Sequence, residues 1–228
     1  MSNLLFAHGR WEHLQLAELY VVRPDGSSLK RLTPHRDFCG SPKWTADSRR
    51  IVAYCMTAEQ TLDNRRAVQE HPEDTRIVSV DVNTGTMSDL PVGRGVKFNP
   101  SVLSGDVVAY IRKDGDAPGI FYSNGTRGPA GEIRAASWSP DGQHLVFHKR
   151  VAFQRKPWVR TWSRDPQFEL TLTSGGPSFS PAGDRFAFVG PATNAKGAGV
   201  AVATVGSDGS QIVYSDPTRN ILGPLDYP

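Results

Sequence analysis

One short segment of the sequence combines positive charge with aromatic side chains in a way that suits ligand binding. It reads KRVAFQRKPWVR and covers residues 149–160. Arginine and large aromatic side chains are enriched at the centres of protein–protein interfaces. This segment, called the cationic lip below, predicts a site for an acidic peptide, a partner loop or a polysaccharide, and the alternative is a solvated loop with its aromatic rings tucked into the fold. The predicted ligand-binding residues are Lys149, Arg150, Arg155, Lys156, Trp158 and Arg160.

The sequence lacks the residue patterns of common catalytic and metal sites. An α/β-hydrolase has the pattern Gly-x-Ser-x-Gly, and the nearest segment, VGSDGS at 205–210, does not match it and is typical of a turn between strands. His144 and His148 are four residues apart on a predicted strand, which separates them by about 13 Å, too far to share one metal ion. The sequence therefore predicts no catalytic residue, no metal site and no cofactor, and it favours a protein that is not an enzyme.

The two cysteines are placed almost symmetrically about a predicted turn. Cys39 lies eight residues before Asp47, and Cys55 lies seven residues after Ser48. Because residues equally far from a hairpin turn face each other, the two cysteines could form a disulfide in an oxidising compartment. Two buried free thiols are the alternative. A pair of cysteines also excludes a disulfide-rich scaffold and a zinc site built mainly from thiolates.

Composition and charge are those of an ordinary globular protein. The chain has 228 residues, of which 38% are hydrophobic and 21% charged, with a net charge of +3. The positive charge is spread along the chain, which argues against nucleic acid as a partner. No apolar run approaches the roughly 20 residues that a membrane-spanning helix needs, so we expect no membrane insertion. The first residues lack the basic and apolar regions of a signal peptide.

The elements that must position these residues are recognised from a repeated spacing. An aromatic anchor residue is followed by a polar turn and then, seven positions after the anchor, by an apolar run. The anchors are Trp44, Trp138 and Phe179, with a weaker copy at Val102. The turn ASWSPDGQHLVFHKR, residues 136–150, contains proline and glycine, whose backbone preferences favour a tight reversal and hence an antiparallel hairpin.

Further β-rich runs follow each hairpin, so each repeat is predicted to contain four strands. Four-stranded antiparallel units of about 40 residues stack around an axis in a β-propeller. The sequence therefore predicts an all-β chain, residues 1–228, with about five blades and a polar insert at 57–75 that contains one helix candidate, 58–70. Either residues 219–228 complete the first blade, which begins with a strand at 4–10, or the chain is part of a six-bladed or larger propeller.

The repeats resemble the TolB-like β-propeller repeat, which runs approximately Pro-x-Trp-Ser-Pro-Asp-Gly, an apolar strand, a strand that ends in Asp-Gly, and Leu-Thr. The matching segments are ELYVVRPDGSSLKRLT, SPKWTADSRRIVAYC, ASWSPDGQHLVFHKR and PSFSPAGDRFAFVG. The resemblance implies a propeller, six-bladed in TolB itself, and an extracytoplasmic location. It also implies a protein-binding platform or a domain fused to a peptidase or an amidohydrolase.

Three functions follow from these observations. The first is a non-enzymatic propeller scaffold that binds a protein or peptide through loops on one face. The second is a propeller domain, or a fragment, of a larger hydrolase in which it gates access of the substrate. The third is a propeller that binds a carbohydrate.

Overall fold

The computed structural model describes most of the chain, and the regular structure in the described part is almost entirely β-strand. The described residues are 3–8, 17–33, 37–57, 74–151, 154–163, 168–170, 175–191, 198–207 and 209–215. Within these ranges the helical structure consists of one 3₁₀ turn, Ser104–Asp106. The described residues contain no helix with the length and apolar character needed to cross a membrane. The prediction of an all-β chain is confirmed.

Nineteen strands are described, and their bounds in chain order are as follows. They are β1 (Asn3–His8), β2 (Ala17–Val22), β3 (Lys30–Arg31), β4 (Phe38–Trp44), β5 (Arg50–Met56), β6 (Arg76–Asp81), β7 (Met87–Asp89), β8 (Lys97–Val102), β9 (Val108–Arg112), β10 (Gly119–Tyr122), β11 (Arg127–Ala130), β12 (Ile133–Trp138), β13 (His144–Val151), β14 (Gln154–Ser163), β15 (Phe168–Leu170), β16 (Gly175–Phe179), β17 (Arg185–Pro191), β18 (Ala198–Thr204) and β19 (Ser210–Ser215). The chain divides into two compact units, residues 1–128 and 129–228.

The first unit contains a seven-stranded sheet and nearly all of a four-stranded one. The larger sheet has the order β1-β2-β4-β5-β6-β7, with β3 paired to β2, and the smaller has the order β11-β10-β9-β8. The sequence predicts separate antiparallel units for the first two repeats, but one parallel pair, Ala17 with Phe38, joins β2 to β4. The first two repeats therefore share one sheet.

The second unit contains two four-stranded antiparallel sheets. Their strand orders are β12-β13-β14-β15 and β16-β17-β18-β19, so strands that are consecutive in sequence are neighbours in the sheet. Such up-and-down order requires only short connections, which places alternate connections at opposite ends of each sheet. The predicted final strand at 219–228 lies outside the described residues.

The hairpins that the repeated spacing predicts are present. Each anchor and the residue seven positions later are direct cross-strand partners. The pairs are Trp44 with Ile51, Trp138 with Leu145, and Phe179 with Phe186. In the weaker copy Val102 pairs with Val108, so that turn is one residue shorter.

A hydroxyl and a carboxylate form the same hydrogen bonds in all three full-length turns. The Ser139 hydroxyl donates to Asp141 Oδ1 and accepts a hydrogen bond from the His144 amide at 2.9 Å. The equivalent residues in the first turn are Thr45, Asp47 and Arg50. In the third turn Ser180 and Arg185 form the same hydroxyl–amide bond, but the carboxylate is Asp184, four residues after the hydroxyl instead of two. These local bonds satisfy backbone groups that the reversal leaves without a strand partner, which explains the repeat of Ser or Thr and Asp in the sequence.

Neighbouring sheets share a core within each unit. In the first unit, Val52 and Ile77 of the larger sheet pack with Val108 and Tyr110 of the smaller one. In the second unit, Val146 of β13 packs with the anchor Phe179 and with residues of the last sheet. The anchor aromatic residue therefore contributes to packing between sheets in the second unit.

Strands β4 and β8, in the two sheets of the first unit, contain an irregularity that the spacing does not predict. Ser41 in β4 and Asn99 in β8 have positive φ angles of 50° and 49°, and each precedes a proline. The strand register shifts at both positions, and Ser41 Oγ lies 2.7 Å from Asn99 Oδ1. Because a bulge redirects side chains, this repeated feature brings two polar side chains of neighbouring sheets together.

Candidate functional site

The polar insert leaves the first sheet between β5 and β6. Residues 58–73 lie outside the described residues, and the helix candidate at 58–70 lies there too. Both ends of the insert are described, with entry at Thr57 and exit at Asp74. The side chains that hold these ends are called the insert base: Cys39, Cys55, Asp74, Thr75 and Lys97.

A disulfide holds the entry of the insert. Cys39 in β4 and Cys55 in β5 are direct cross-strand partners, and their sulfur atoms are 2.06 Å apart. Both residues are fully buried. The structure thus has the disulfide rather than two buried thiols. Because Cys55 lies two residues before Thr57, the bond closes the β4–β5 hairpin at the end from which the insert leaves.

A buried lysine holds the exit. Lys97 is 1% exposed, and its Nζ donates to the carbonyl oxygens of Gly93 at 2.8 Å and Gly95 at 2.7 Å. Its third contact is Asp74 Oδ1 at 3.3 Å. Each of the three N–H donors therefore has an acceptor. Burial lowers the pKa of Lys97, and the carboxylate of Asp74 opposes that shift.

The backbone at the exit is held by the same group of residues. The Gly95 amide donates to Asp74 Oδ1 at 2.7 Å. Burial by itself would raise the pKa of Asp74, but this hydrogen bond and the charge of Lys97 outweigh burial, and the pKa is lowered. The Thr75 hydroxyl accepts a hydrogen bond from the Lys97 amide at 2.6 Å and donates to the Lys97 carbonyl. The exit is therefore fixed to the β7–β8 connection by side-chain and backbone contacts.

Further charges at this end of the sheet are paired with one another. Arg76, the first residue of β6, lies 3.3 Å from Asp37 and 3.2 Å from Asp89. Burial raises the pKa of Asp37, and the Arg76 guanidinium acts in the opposite direction. Arg94, which is 93% exposed, reaches Asp74 at 3.5 Å. Such paired charges orient the loops, and they leave no isolated nucleophile or base within this group.

The cationic lip differs from its prediction in one respect. The sequence analysis treats it as a connection between strands, whereas all six of its predicted binding residues lie in strands. Lys149 and Arg150 belong to β13, and the others belong to β14. Lys149 pairs with Trp158, and Arg150 pairs with Pro157. The charged residues and the proline of the segment favoured the prediction of a loop. The β-branched residues at 151, 159 and 161 instead favour strand pairing, and proline is tolerated near a strand end.

The described residues contain no group of three histidine, cysteine, aspartate or glutamate side chains that could hold a metal ion. His144 and His148 both lie in β13, and His144 pairs with Ser163. Three other histidines, at 13, 35 and 71, fall outside the described residues. Among the described residues, the groups that could bind a ligand are therefore charged, hydrogen-bonding and aromatic side chains.

Comparison with known proteins gives similarity in structure and none in sequence. No protein-family model matches the chain, and no curated protein matches it. TolB from Acinetobacter baumannii superposes with a TM-score of 0.70 at 17% identity, covering 92% of this chain and 52% of that one. An oligogalacturonate lyase in complex with manganese has a TM-score of 0.63 at 16% identity, covering 86% of this chain and 59% of the lyase.

A third similar structure is the β-propeller domain of the trilobed protease from Pyrococcus furiosus. Its TM-score is 0.61 at 11% identity, and the alignment covers 93% of this chain and 65% of the domain. The chain thus spans between about half and two thirds of the length of these structures. Because the functions named in these three structures differ, the similarity carries information about fold alone. The chain has the β-propeller fold seen in TolB-like structures, as the resemblance of its repeats predicts.

Proposed function

We propose that the chain is a non-enzymatic β-propeller scaffold that binds a protein or peptide partner through loops on one face, with the cationic lip as its predicted ligand-binding site. The observation that carries this proposal is the pairing of β13 with β14, which brings Lys149 opposite Trp158 and Arg150 opposite Pro157. Five cations and a tryptophan then belong to one hairpin, a composition suited to an acidic segment. The partner is therefore expected to present an acidic, extended or looped segment.

The insert base supports the same assignment in the first unit. A disulfide and a buried lysine hold the two ends of a long polar connection. Loops carried on rigid strands are the usual binding elements of β-folds, and fixed loop ends lower the entropy lost on binding. The insert at 57–75 is thus a second predicted contact region.

The finer architecture is also part of the proposal. The repeats suggest about five four-stranded blades in residues 1–228, with anchors at Trp44, Val102, Trp138 and Phe179. Either residues 219–228 complete the first blade, or further blades belong to a larger ring. The buried disulfide supports an extracytoplasmic location, since such bonds persist in oxidising compartments.

Two other functions are favoured by particular neighbours. The similarity to the propeller domain of the trilobed protease supports a propeller domain of a larger hydrolase that gates access of the substrate. The similarity to an oligogalacturonate lyase supports a propeller that binds a polysaccharide. The carbohydrate function is separated from the leading proposal by the ligand used in the test.

The test compares the unmodified chain with a triple lip variant, Arg155→Gln, Lys156→Gln and Trp158→Ala. Fluorescence anisotropy measures binding of a labelled poly-glutamate peptide, an uncharged peptide of the same length, and polygalacturonate. The leading proposal predicts binding of poly-glutamate that the triple variant weakens by at least about tenfold. Preference for polygalacturonate would favour the carbohydrate function instead.

A matched control keeps the test specific to the lip. Gln143→Glu and Ala182→Glu place two negative charges in the β12–β13 and β16–β17 turns, at the opposite sheet ends of the same unit. This control variant should bind poly-glutamate almost as well as the unmodified chain. Equal weakening by both variants would mean that net charge alone controls binding, and would refute the lip as a site.

A further inference from the structure

Two arginine side chains of the first unit lie against the same aromatic ring. The guanidinium carbon of Arg127, in β11, is 5.2 Å from the centre of the Phe121 ring, and that of Arg112, in β9, is 5.8 Å from it. The negative face of an aromatic ring attracts cations at such distances. The three side chains, Arg112, Phe121 and Arg127, are called the arginine patch below.

The core of the first unit fixes the aromatic ring of the patch. Phe121 is the cross-strand partner of Tyr110, and the two rings are stacked with their centres 6.0 Å apart. Tyr110 is buried, and it packs with Val52 and Ile77 of the larger sheet. Phe121 is partly buried against this cluster. The patch therefore lies on paired strands, and its ring is held in place before any ligand binds, which lowers the cost of binding.

The charges of the two arginines are balanced differently. Arg112 Nε donates to Asp114 Oδ1 at 3.0 Å, which leaves the Nη groups of Arg112 without a hydrogen bond to the described residues. Arg127 is exposed, and within the described ranges no carboxylate forms an ion pair with it. It is thus a cation without a counter-charge that is held over an aromatic ring. Other arginines of the described part do contact a carboxylate: Arg31, Arg50, Arg76, Arg94 and Arg185.

We propose that the arginine patch binds an acidic segment of a protein partner, with a carboxylate on the guanidinium groups and a neighbouring aromatic side chain against Phe121. A guanidinium group presents N–H donors in a planar fork that matches a carboxylate, and it is more weakly hydrated than an ammonium group. Arginine and aromatic side chains also carry much of the binding energy of protein interfaces. The inference rests on the proposed function, because it gives the same kind of partner a second contact, on the first unit.

Heteronuclear NMR tests the proposal, with the capped tripeptide Glu-Tyr-Glu as the probe. The titration uses the triple lip variant, so that binding at the lip does not contribute. The Nε–H signals of Arg112 and Arg127 and the amide signal of Phe121 should shift and reach saturation, whereas the capped tripeptide Gln-Tyr-Gln should leave them unchanged. Absence of these shifts, or equal shifts with both tripeptides, would overturn the proposal. Either result leaves the cationic lip untouched, since the lip is tested by poly-glutamate binding to the unmodified chain.

A matched pair of variants tests the role of Arg127. Arg127→Gln, made in the same background, should weaken binding of Glu-Tyr-Glu by at least about fivefold, because it removes the cation that has no other counter-charge. Arg23→Gln removes the same charge from an exposed arginine for which the structure describes no aromatic or carboxylate contact, and it should bind as its parent does. Equal weakening by the two variants would mean that net charge controls binding, and would overturn the proposal.

Inorganic phosphate separates an acidic segment from a site for any anion. Phosphate has no aromatic group to lie against Phe121, so it should need a concentration at least about tenfold higher than the tripeptide to produce the same shifts. Saturation by phosphate at or below the concentration of the tripeptide would assign the patch to phosphate groups and would overturn the proposal.

Discussion

The two ends of the β4–β5–β6 strands are built differently. At one end, the β4–β5 turn is closed by the Thr45 hydroxyl and the Asp47 carboxylate, and the same arrangement recurs in two other sheets. At the other end, the insert is held by a disulfide and by a buried lysine, neither of which has a counterpart among the other described sheets. The turn bonds recur because each hairpin needs them to close. The disulfide and the buried lysine are particular to the end that carries the insert.

The comparison also has an energetic side. A single hydroxyl hydrogen bond contributes about 1 kcal/mol to stability. A disulfide contributes about 2–4 kcal/mol, and breaking a buried ion pair by removing one partner costs about 3–5 kcal/mol. The insert end should therefore respond more strongly to substitution than the turn end.

The largest effect is expected for Lys97→Met. The substitution keeps an unbranched side chain one atom shorter but leaves the Gly93 and Gly95 carbonyls and the Asp74 carboxylate without their ammonium partner. We expect the free energy of unfolding to fall by about 3–4 kcal/mol, measured by urea denaturation. Arg94→Met is the control, since it removes the exposed contact to the same carboxylate and should cost less than about 1 kcal/mol. Equal losses would mean that the buried lysine has no special role.

The second effect is expected on removal of the disulfide. The double variant Cys39→Ala and Cys55→Ala releases a loop of 16 residues, which should lower the free energy of unfolding by about 3 kcal/mol. A reductant added in denaturant should lower the stability of the unmodified chain and leave the double variant unchanged. If the unmodified chain did not respond to the reductant, the two thiols would be unbonded in solution.

The turns were predictable because their chemistry is local. The hydroxyl, the carboxylate and the residue that closes each turn lie within six residues of one another, so that the spacing from Trp138 to Leu145 identifies the pair directly. The buried lysine of the insert base was not predictable in this way, because Lys97 and Asp74 are 23 residues apart and meet only after two sheets have packed together. Nothing in the sequence around Lys97 distinguishes it from an exposed lysine.

The cationic lip and the cysteines illustrate two intermediate cases. The composition of residues 149–160 identified a dense positive segment, but composition alone did not separate a loop from two paired strands. Counting residues from the turn placed Cys39 opposite Cys55, yet the same count is compatible with thiols or a disulfide. Position along a strand is thus easier to predict from sequence than the bond or surface that results.

At the turn end, Ser139→Ala should lower the free energy of unfolding by about 1 kcal/mol at pH 7, because it removes a donor to Asp141 and an acceptor for the His144 amide. The hydrogen bond from Ser139 lowers the pKa of Asp141. Because the pKa of Asp141 is lower in the folded state than its unfolded value of about 4, the hydrogen bond stabilises the fold above about pH 4. This stabilisation is lost as the pH falls through the folded-state pKa. The difference between the variant and the unmodified chain should therefore shrink from pH 7 to about pH 3.

Two further variants test whether the loss of stability comes from the hydroxyl of the turn. Thr45→Ala should lose a similar amount, since its turn has the same bonds. Gln143→Ala changes an exposed side chain of the Ser139 turn and should have little effect. A loss for Ser139→Ala that does not depend on pH would mean that the bond to the Asp141 carboxylate contributes little.

The smallest effect concerns the backbone of the same turns. Ser48 and Gly142 occupy the same turn position, three residues after Thr45 and Ser139, and both have positive φ, 57° and 69°. A residue with a side chain is strained in this conformation and glycine is not, although glycine gains more entropy on unfolding. Ser48→Gly should therefore raise the free energy of unfolding by about 0.5–1 kcal/mol, and Gly142→Ser should lower it by a similar amount. No atom lies within 4 Å of a Cβ placed on Gly142, so its loss would come from the backbone alone. Urea midpoints, compared at an unchanged m-value, measure the change in stability of each variant. A shift of both midpoints in the same direction would show that the two turns are not equivalent.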